Sequence, residues 1–366
     1  MRTTSTQPLG TSTSVPKRLI LPALKLRRGR LLFLAGVVAL GFMAVLAWGS
    51  INVPLEDIVK VLLGGEASKA SWTTIILQIR LPRALTALLA GGALGLSGLL
   101  MQTYFRNPLA GPYVLGVSSG ASLGVALVVM GAGGSFLTSL GLGGDLLIAT
   151  AAALGAAVTL LIILAAATRV DSSLTLLILG VMFGALTSAV VSLLMHFSIP
   201  ERIQAFVNWT FGSFNGVTWG QMPILAAGVT VGLILALALR KSLNALLLGE
   251  AYAASMGLNT TAARAVMIGA TALLAGIVTA FCGPIGFIGT AVPHVCRALF
   301  NSSDHGTLVP ACALMGGLVG LAAALLAELP GSNLVLPLNA VTAALGAPVV
   351  IYILLRQRNL GKAFGG

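Results

Sequence analysis

Charge is what this sequence has least of. Only 8% of its 366 residues are Asp, Glu, Lys or Arg, where an average soluble domain carries about 25%. So few ionisable groups do not coat a water-facing surface, which excludes a soluble enzyme, a nucleic-acid-binding domain and a disordered tail protein. Cysteine is scarce too: Cys282, Cys296 and Cys312 share no Cys-x-x-Cys spacing, and an odd number without a framework argues against structural disulfides. His294 and Cys296, two residues apart, point about 200° from each other on a helix, so no metal site is expected. The chain has no G-x-x-x-x-G-K-[ST]; Gly361-Lys362 is followed by Ala363, so no P-loop for ATP is present. Nor does any apolar segment carry a charge near its middle, where one costs about 3 kcal/mol and is kept for function. An intramembrane proton or sodium relay is therefore not expected, and an ion-coupled carrier is the less favoured alternative.

What remains is apolar and small: 57% hydrophobic residues, 45 glycines and a mean hydropathy of +1.01. A hydrocarbon core of about 30 Å takes roughly 20 apolar helical residues. Runs of this kind lie at 31–49, 81–105, 113–133, 145–167, 174–197, 217–239, 264–282, 307–329 and 336–355, with a shorter one at 284–300. They are continuous, without the alternation of barrel strands. The expectation is an all-α polytopic membrane protein with about ten transmembrane helices. If the N-terminus lies inside, 16 of the 21 Lys and Arg residues fall on the inner side, as the positive-inside rule requires. Both termini are then cytosolic, and the net charge of +12 reports orientation, not nucleic acid.

Residues 1–30, Ser/Thr-rich then basic, read as a cytosolic tail and not a cleaved signal peptide. Residues 31–356 form one transmembrane domain, and 357–366 a second cytosolic tail. Three connections are long enough to fold: external 50–80 with Val-Pro-Leu-Glu-Asp at 53–57, external 198–216 with Trp209 and Phe211, and internal 240–263, which is amphipathic.

Small residues recur at four-residue spacing: Gly91 and Gly95; Gly116, Gly120 and Gly124; Gly180 and Gly184. Such faces let helix backbones approach closely. Thr86–Gly91 (TALLAG) recurs at Thr271–Gly276, compatible with the inverted repeats of transporters. Two stretches break the helical pattern, Arg106-Asn107-Pro108-Leu109-Ala110-Gly111-Pro112 and Gly283-Pro284-Ile285-Gly286-Phe287-Ile288-Gly289. Irregular backbone at membrane depth is tolerated only inside protein or beside a cavity. The two stretches are therefore either ordinary turns or a gate. The central segments offer Ser97, Ser118, Ser119, Ser122, Thr187, Ser188 and Thr342 as uncharged polar lining for a path.

IRLPRALTALLAGGALGLSGLLMQTYFRNPLAGPYVLGVSSGA at 79–121 resembles the signature region of the FecCD-type permeases. The similarity continues through LLLGEAYAASMGL at 246–258, GPIGFIGTAVPHVCR at 283–297 and LPLNAVTAALGAPVVIYILLR at 336–356. The resemblance implies a type II ABC importer architecture: a ten-helix permease, N-in and C-in, in the cytoplasmic membrane. It pairs with a second permease subunit, alike or different. Separate ATP-binding-cassette subunits bind ATP and Mg on the cytosolic face, this chain binds no cofactor, and an external substrate-binding protein delivers the cargo. A ferric siderophore is the expected substrate, with haem or cobalamin as alternatives.

Residue by residue, the resemblance implies that Arg80 and Arg83, on one helix face, meet carboxylates of the binding protein. The stretch that usually reads Leu-Ala-Asp-x-x-x-Arg here reads Leu321-Ala322-Ala323-Ala324-Leu325-Leu326-Ala327-Glu328. Glu328, standing where an arginine is expected, would repel such carboxylates; a heterodimer would limit that repulsion to one lobe. Asn107, Pro108 and Leu109, with Ser172 and Ser173, match the loops that narrow the cytosolic end of the path. Leu248, Gly249, Glu250, Ala254 and Gly257 match the short helical loop that fits the ATPase cleft.

Overall fold

The computed structural model describes residues 17–49, 51–131, 144–167, 169–170, 173–328 and 334–364. Among them no strand forms; the one pairing of that kind is an isolated bridge, Glu328 with Val335. The helices are α1 (Lys17–Ala47), α2 (Leu55–Leu62), α3 (Ala70–Thr74), α4 (Leu81–Phe105), α5 (Val117–Val129), α6 (Gly144–Ala167), α7 (Ser173–His196) and α8 (Pro200–Thr210). There follow α9 (Met222–Ala238), α10 (Arg240–Leu247), α11 (Glu250–Ser255), α12 (Thr260–Cys282), α13 (Ile288–Phe300), α14 (His305–Ala327) and α15 (Leu338–Phe364).

Each apolar run of the sequence has become a helix. Six stretches are long and apolar enough to cross a membrane alone: Arg27–Ala47, Ala70–Phe105, Gly144–Ala167, Leu174–His196, Thr260–Cys282 and His305–Ala327. Helices α9 and α10, bent by 52° where they meet, make a seventh if taken as one span. α1 begins at Lys17 and α15 runs to Phe364, so helix extends into both stretches read as tails. The chain is a multi-pass, all-helical membrane protein.

Local chemistry sets the ends. In α2, Glu56 and Asp57 occupy the first turn and Lys60 the last, each matching the helix dipole, and Glu56 pairs with Lys60 at 2.8 Å. Its Ile58 and Val61 are buried. Asn259 caps α12 by accepting from Ala262 N at 2.9 Å, and Asp304 caps α14 by accepting from Gly306 N at 3.2 Å. Ahead of α4, Ile75–Arg80 forms a π turn. Its Leu77 carbonyl accepts from Trp219 Nε1 at 2.9 Å, one way to satisfy a backbone group that such a turn leaves out of register.

α4 is the centre of the bundle. Helices α9, α10, α12, α13 and α14 pack against it, α1 lies on α14, and α5 lies on α6. The glycine spacing is used for close approach. A Cβ on Gly91 would overlap the Gly316 carbonyl, one on Gly320 the Ala87 carbonyl, and one on Gly95 would come within 2.7 Å of Cys312 O. With Arg83 touching Ala324 and Thr103 touching His305 at the two ends, the contacts run in antiparallel register along the pair. The same device joins Gly120 and Gly124 of α5 to α6, and Gly180 of α7 to the Val114 carbonyl.

Candidate functional site

Arg80 and Arg83 lie at the start of α4, each only 5% exposed. Both guanidiniums are engaged within the chain. Arg80 Nη1 donates to the carbonyls of Leu46 at 2.7 Å and Ala47 at 3.0 Å, and Nη2 to that of Ile51. Arg83 donates to the Glu328 carboxylate and to the Ala324 carbonyl. The carbonyls of Leu46 and Ala47 end α1, and that of Ala324 lies in the last turn of α14. Both guanidiniums therefore cap helix C-termini, where orphan carbonyls and the negative end of the dipole attract a cation.

Glu328 is engaged as well: its second oxygen accepts from Asn215 Nδ2 at 2.8 Å. The carboxylate is neutralised by Arg83 within the same chain, so its charge is not a free repulsive element. The case for a heterodimer built on that repulsion loses its footing.

The two irregular stretches meet. α4 ends at Arg106 in the left-handed region (φ 47), and the chain turns through Asn107, whose Oδ1 accepts from Leu109 N at 2.9 Å. His294 Nε2 donates to the Pro108 carbonyl at 2.7 Å, and Gln102 Nε2 donates to that of Thr290 at 3.0 Å. Arg297 Nη1 holds Gln102 Oε1 at 2.7 Å. From the other stretch, Ile285 N donates to Tyr113 Oη at 3.3 Å. A Cβ on Gly289 would press into the Pro112 ring, 2.5 Å from its Cδ. The segment after α4 and the segment before α13 are thus one packed unit. Leu109 stands exposed beside it. Ser173 opens α7, and Ser172 lies outside the described residues.

The 240–263 connection folds as a hook. α10 buries Leu243 and Leu246, and α11 buries Ala253, while Leu247, Leu248, Tyr252 and Met256 are exposed. Gly249 (φ 120) and Gly257 (φ 84) bracket α11 in backbone conformations that L side chains rarely adopt. Glu250 pairs with Arg264 of α12, fastening the hook to the bundle, and Ala254 faces solvent. A pocket of about 140 Å³ opens beneath, lined by Thr103, Tyr104, Arg106, Leu246, Glu250 and Arg264.

Three of the hydroxyls named for a path are buried within this chain. Ser97, Thr187 and Thr342 are buried, each bonded to a carbonyl three residues back: Leu94, Gly184 and Asn339. Back-bonding of this kind satisfies the proton of a hydroxyl inside an apolar helix; of the three, Thr342 also lines a cavity of about 210 Å³ with Ile288, Val292 and Gly346. Ser188 is exposed, and Ser118, Ser119 and Ser122 are half-buried.

Sequence reasoning missed a partly buried polar cluster beside the hook, with His305 and Thr103 buried and Asn244 and Asp304 half-buried. Asn244 Nδ2 donates to Asp304 Oδ1 at 2.7 Å, and Asn244 Oδ1 accepts from His305 N at 2.9 Å and faces His305 Nδ1 at 2.8 Å. His305 Nε2 faces Thr103 Oγ1 at 2.9 Å. Burial raises the Asp304 carboxyl, but the bonds from Asn244, Gly306 and Thr307 outweigh it and hold the group below the ordinary carboxylate range. The one local signal was the amphipathic pattern that puts Asn244 beside Leu243 and Leu246.

Known proteins resemble this chain over most of its length. The vitamin B12 import system permease protein BtuC of Klebsiella pneumoniae is 40% identical over 298 residues, covering 81% of this chain and 87% of that protein. The BtuC of Citrobacter koseri is 39% identical over 295 residues, covering 80% and 87%. Among solved structures, an inward-facing conformation of a transporter assigned to the metal-chelate ABC type superposes with a TM-score of 0.78 at 28% identity. It covers 90% of this chain and 99% of the other. The profile of the FecCD transport family matches residues 37–356, from within α1 to within α15 and through every site described above, and to that family this chain belongs.

Proposed function

We propose that this chain is the permease subunit of an ATP-driven importer of a metal chelate in the cytoplasmic membrane, one of two permease copies with the path between them. ATPase subunits dock on the α10–α11 hook, the cytosolic side. An external binding protein docks at the opposite end, where Arg80, Arg83 and Glu328 hold the ends of α1 and α14. The observation that carries this reading is the hook itself. Leu247, Leu248, Tyr252 and Met256 present an apolar surface on an element whose first helix is bent 52° from α9 and whose other face packs on the bundle, and a soluble partner is what such a patch fits. Asn107, Pro108 and Leu109, with Ser172 and Ser173, then narrow the cytosolic end of the path.

For the cargo, the names of the relatives favour cobalamin, and it stands first. A ferric siderophore is the second reading, favoured by the metal-chelate assignment of the structural neighbour. The test reconstitutes this chain with its ATPase and binding protein in liposomes and follows radiolabelled cyanocobalamin and a ferric siderophore. ATP-dependent entry of one of them is expected. Entry that ignores ATP and follows an ion gradient would sink the importer reading.

A prediction attaches to the hook. A Cβ on Gly257 meets nothing within 4 Å, yet its φ is +84. Gly257→Ala and Gly257→Leu are therefore expected to weaken ATPase co-purification to the same degree, by about 1 kcal/mol of backbone strain. A graded loss, mild for Ala and severe for Leu, would show contact and not strain.

A further inference from the structure

We infer that Asn244, His305 and Thr103 form the joint through which movement of the α10–α11 hook reaches α4 and the loop that follows it. The inference rests on reading the hook as the ATPase docking element. Asn244 belongs to α10, His305 opens α14, and Thr103 lies in the last turn of α4. Their side chains meet where those three helices converge, and His305 and Thr103 are buried.

The bonding pattern is directional. Asn244 spends its amide hydrogens on Asp304, so its Oδ1 can only accept, from both the backbone N–H and the Nδ1–H of His305. This fixes the ring: Nδ1 carries a proton and Nε2 faces the Thr103 hydroxyl. The Thr103 hydroxyl has one proton to give, which Nε2 shares with the Leu99 carbonyl one turn back in α4, also 2.9 Å away. A hydrogen bond is lost beyond about 3.5 Å, so bonds of 2.8 and 2.9 Å leave α10 roughly 0.7 Å of travel before α14 follows, and α14 roughly 0.6 Å before α4 does, or the chain breaks.

Apolar packing alone would let α10 slide over its neighbours; this polar chain does not, because a break on either side of the buried His305 ring leaves one of its nitrogens unpaired. Three residues past Thr103 the helix ends at Arg106, and the next turns are tied to α13 through His294 and Pro108. Displacement of the hook therefore arrives at the Asn107–Leu109 turn. These three are positioning residues; none of them touches cargo or nucleotide.

The experiment uses the complete importer in liposomes and reads cargo taken up per ATP hydrolysed. Asn244→Leu and His305→Leu are expected to keep the ATPase bound and hydrolysing, while cargo per ATP falls about tenfold. His305→Gln, whose amide can donate to Asn244 and accept from Thr103, is expected to restore it. Unchanged cargo per ATP in the two Leu variants overturns the inference. So does a fall in which His305→Gln shares fully. If the Leu variants do not accumulate, Thr103→Val decides, since it removes the hydroxyl at constant volume: a coupled Thr103→Val importer also overturns it. Failure of the unsubstituted chain to retain an ATPase would instead sink the reading of the hook.

Discussion

Gly98→Ala is expected to remove most of the folded protein from the membrane, although it adds one methyl group. A Cβ at this position would overlap the backbone of Gly289, its carbonyl oxygen first. Backbone cannot rotate aside as a side chain does. The Gly289 carbonyl is where it is for a reason in the sequence: residue 293, four further on inside α13, is a proline and supplies no N–H to draw that oxygen into the helix. The oxygen turns toward α4, and only a glycine leaves room. Overpacking of this kind costs on the order of 3 kcal/mol. Gly269→Ala is the control, because a Cβ there meets nothing within 4 Å and alanine is the better helix former by about 1 kcal/mol. Thermal unfolding of both detergent-solubilised proteins, with membrane abundance, checks the prediction. Equal stability would show that α13 yields.

Arg83→Met is expected to destabilise the chain by about 3 kcal/mol, and Arg83→Met with Glu328→Met to recover most of that loss. Removing one member of a buried pair strands the other charge, whereas replacing both by apolar groups is often neutral. The Arg83 side chain is 6% exposed and that of Glu328 25%, so the effect sits at the lower end of the buried range. Each single substitution and the double form a cycle whose coupling term isolates the pair. The same proteins separate the internal role from docking. If the double variant is stable, binds its ATPase and still answers the binding protein, the pair serves the fold alone. If it is stable and deaf to the binding protein, the guanidinium has a second task at that face. A coupling term near zero would mean that Arg83 matters through the Ala324 carbonyl and not through Glu328.

How far the sequence could be read depended on the range of the physics involved. Helices follow from continuous apolar runs, and all ten runs formed them. The glycine faces followed from spacing, because a row of missing side chains has one use among packed helices. The arginines were placed at the end of a span, but their partners within the chain were not legible. Spacing puts Arg80 and Arg83 on one face, but that this face meets the carbonyl ends of α1 and α14 depends on residues 34 and 241 positions away. Hydroxyls are ambiguous for the opposite reason. Ser97 and Thr187 satisfy themselves within their own helices, and no pattern separates a back-bonded hydroxyl from a path-facing one. The Asn244–His305–Thr103 cluster joins positions up to 202 residues apart and leaves almost no local trace.

The antiparallel seam between α4 and α14 has a mechanical consequence. Its closest contacts, at Gly91, Gly316 and Gly320, are backbone on backbone, and it is pinned by Arg83 at one end and by His305 and Thr103 at the other. Twenty-five helical residues at 1.5 Å each make α4 about 37 Å long, slightly more than a hydrocarbon core. The pair is then a double-thickness beam reaching from face to face. A tilt of about 5° about one end carries the other through roughly 3 Å, the length of a hydrogen bond. A small rotation at the His305 end is thus enough to make or break contacts at the Arg83 end.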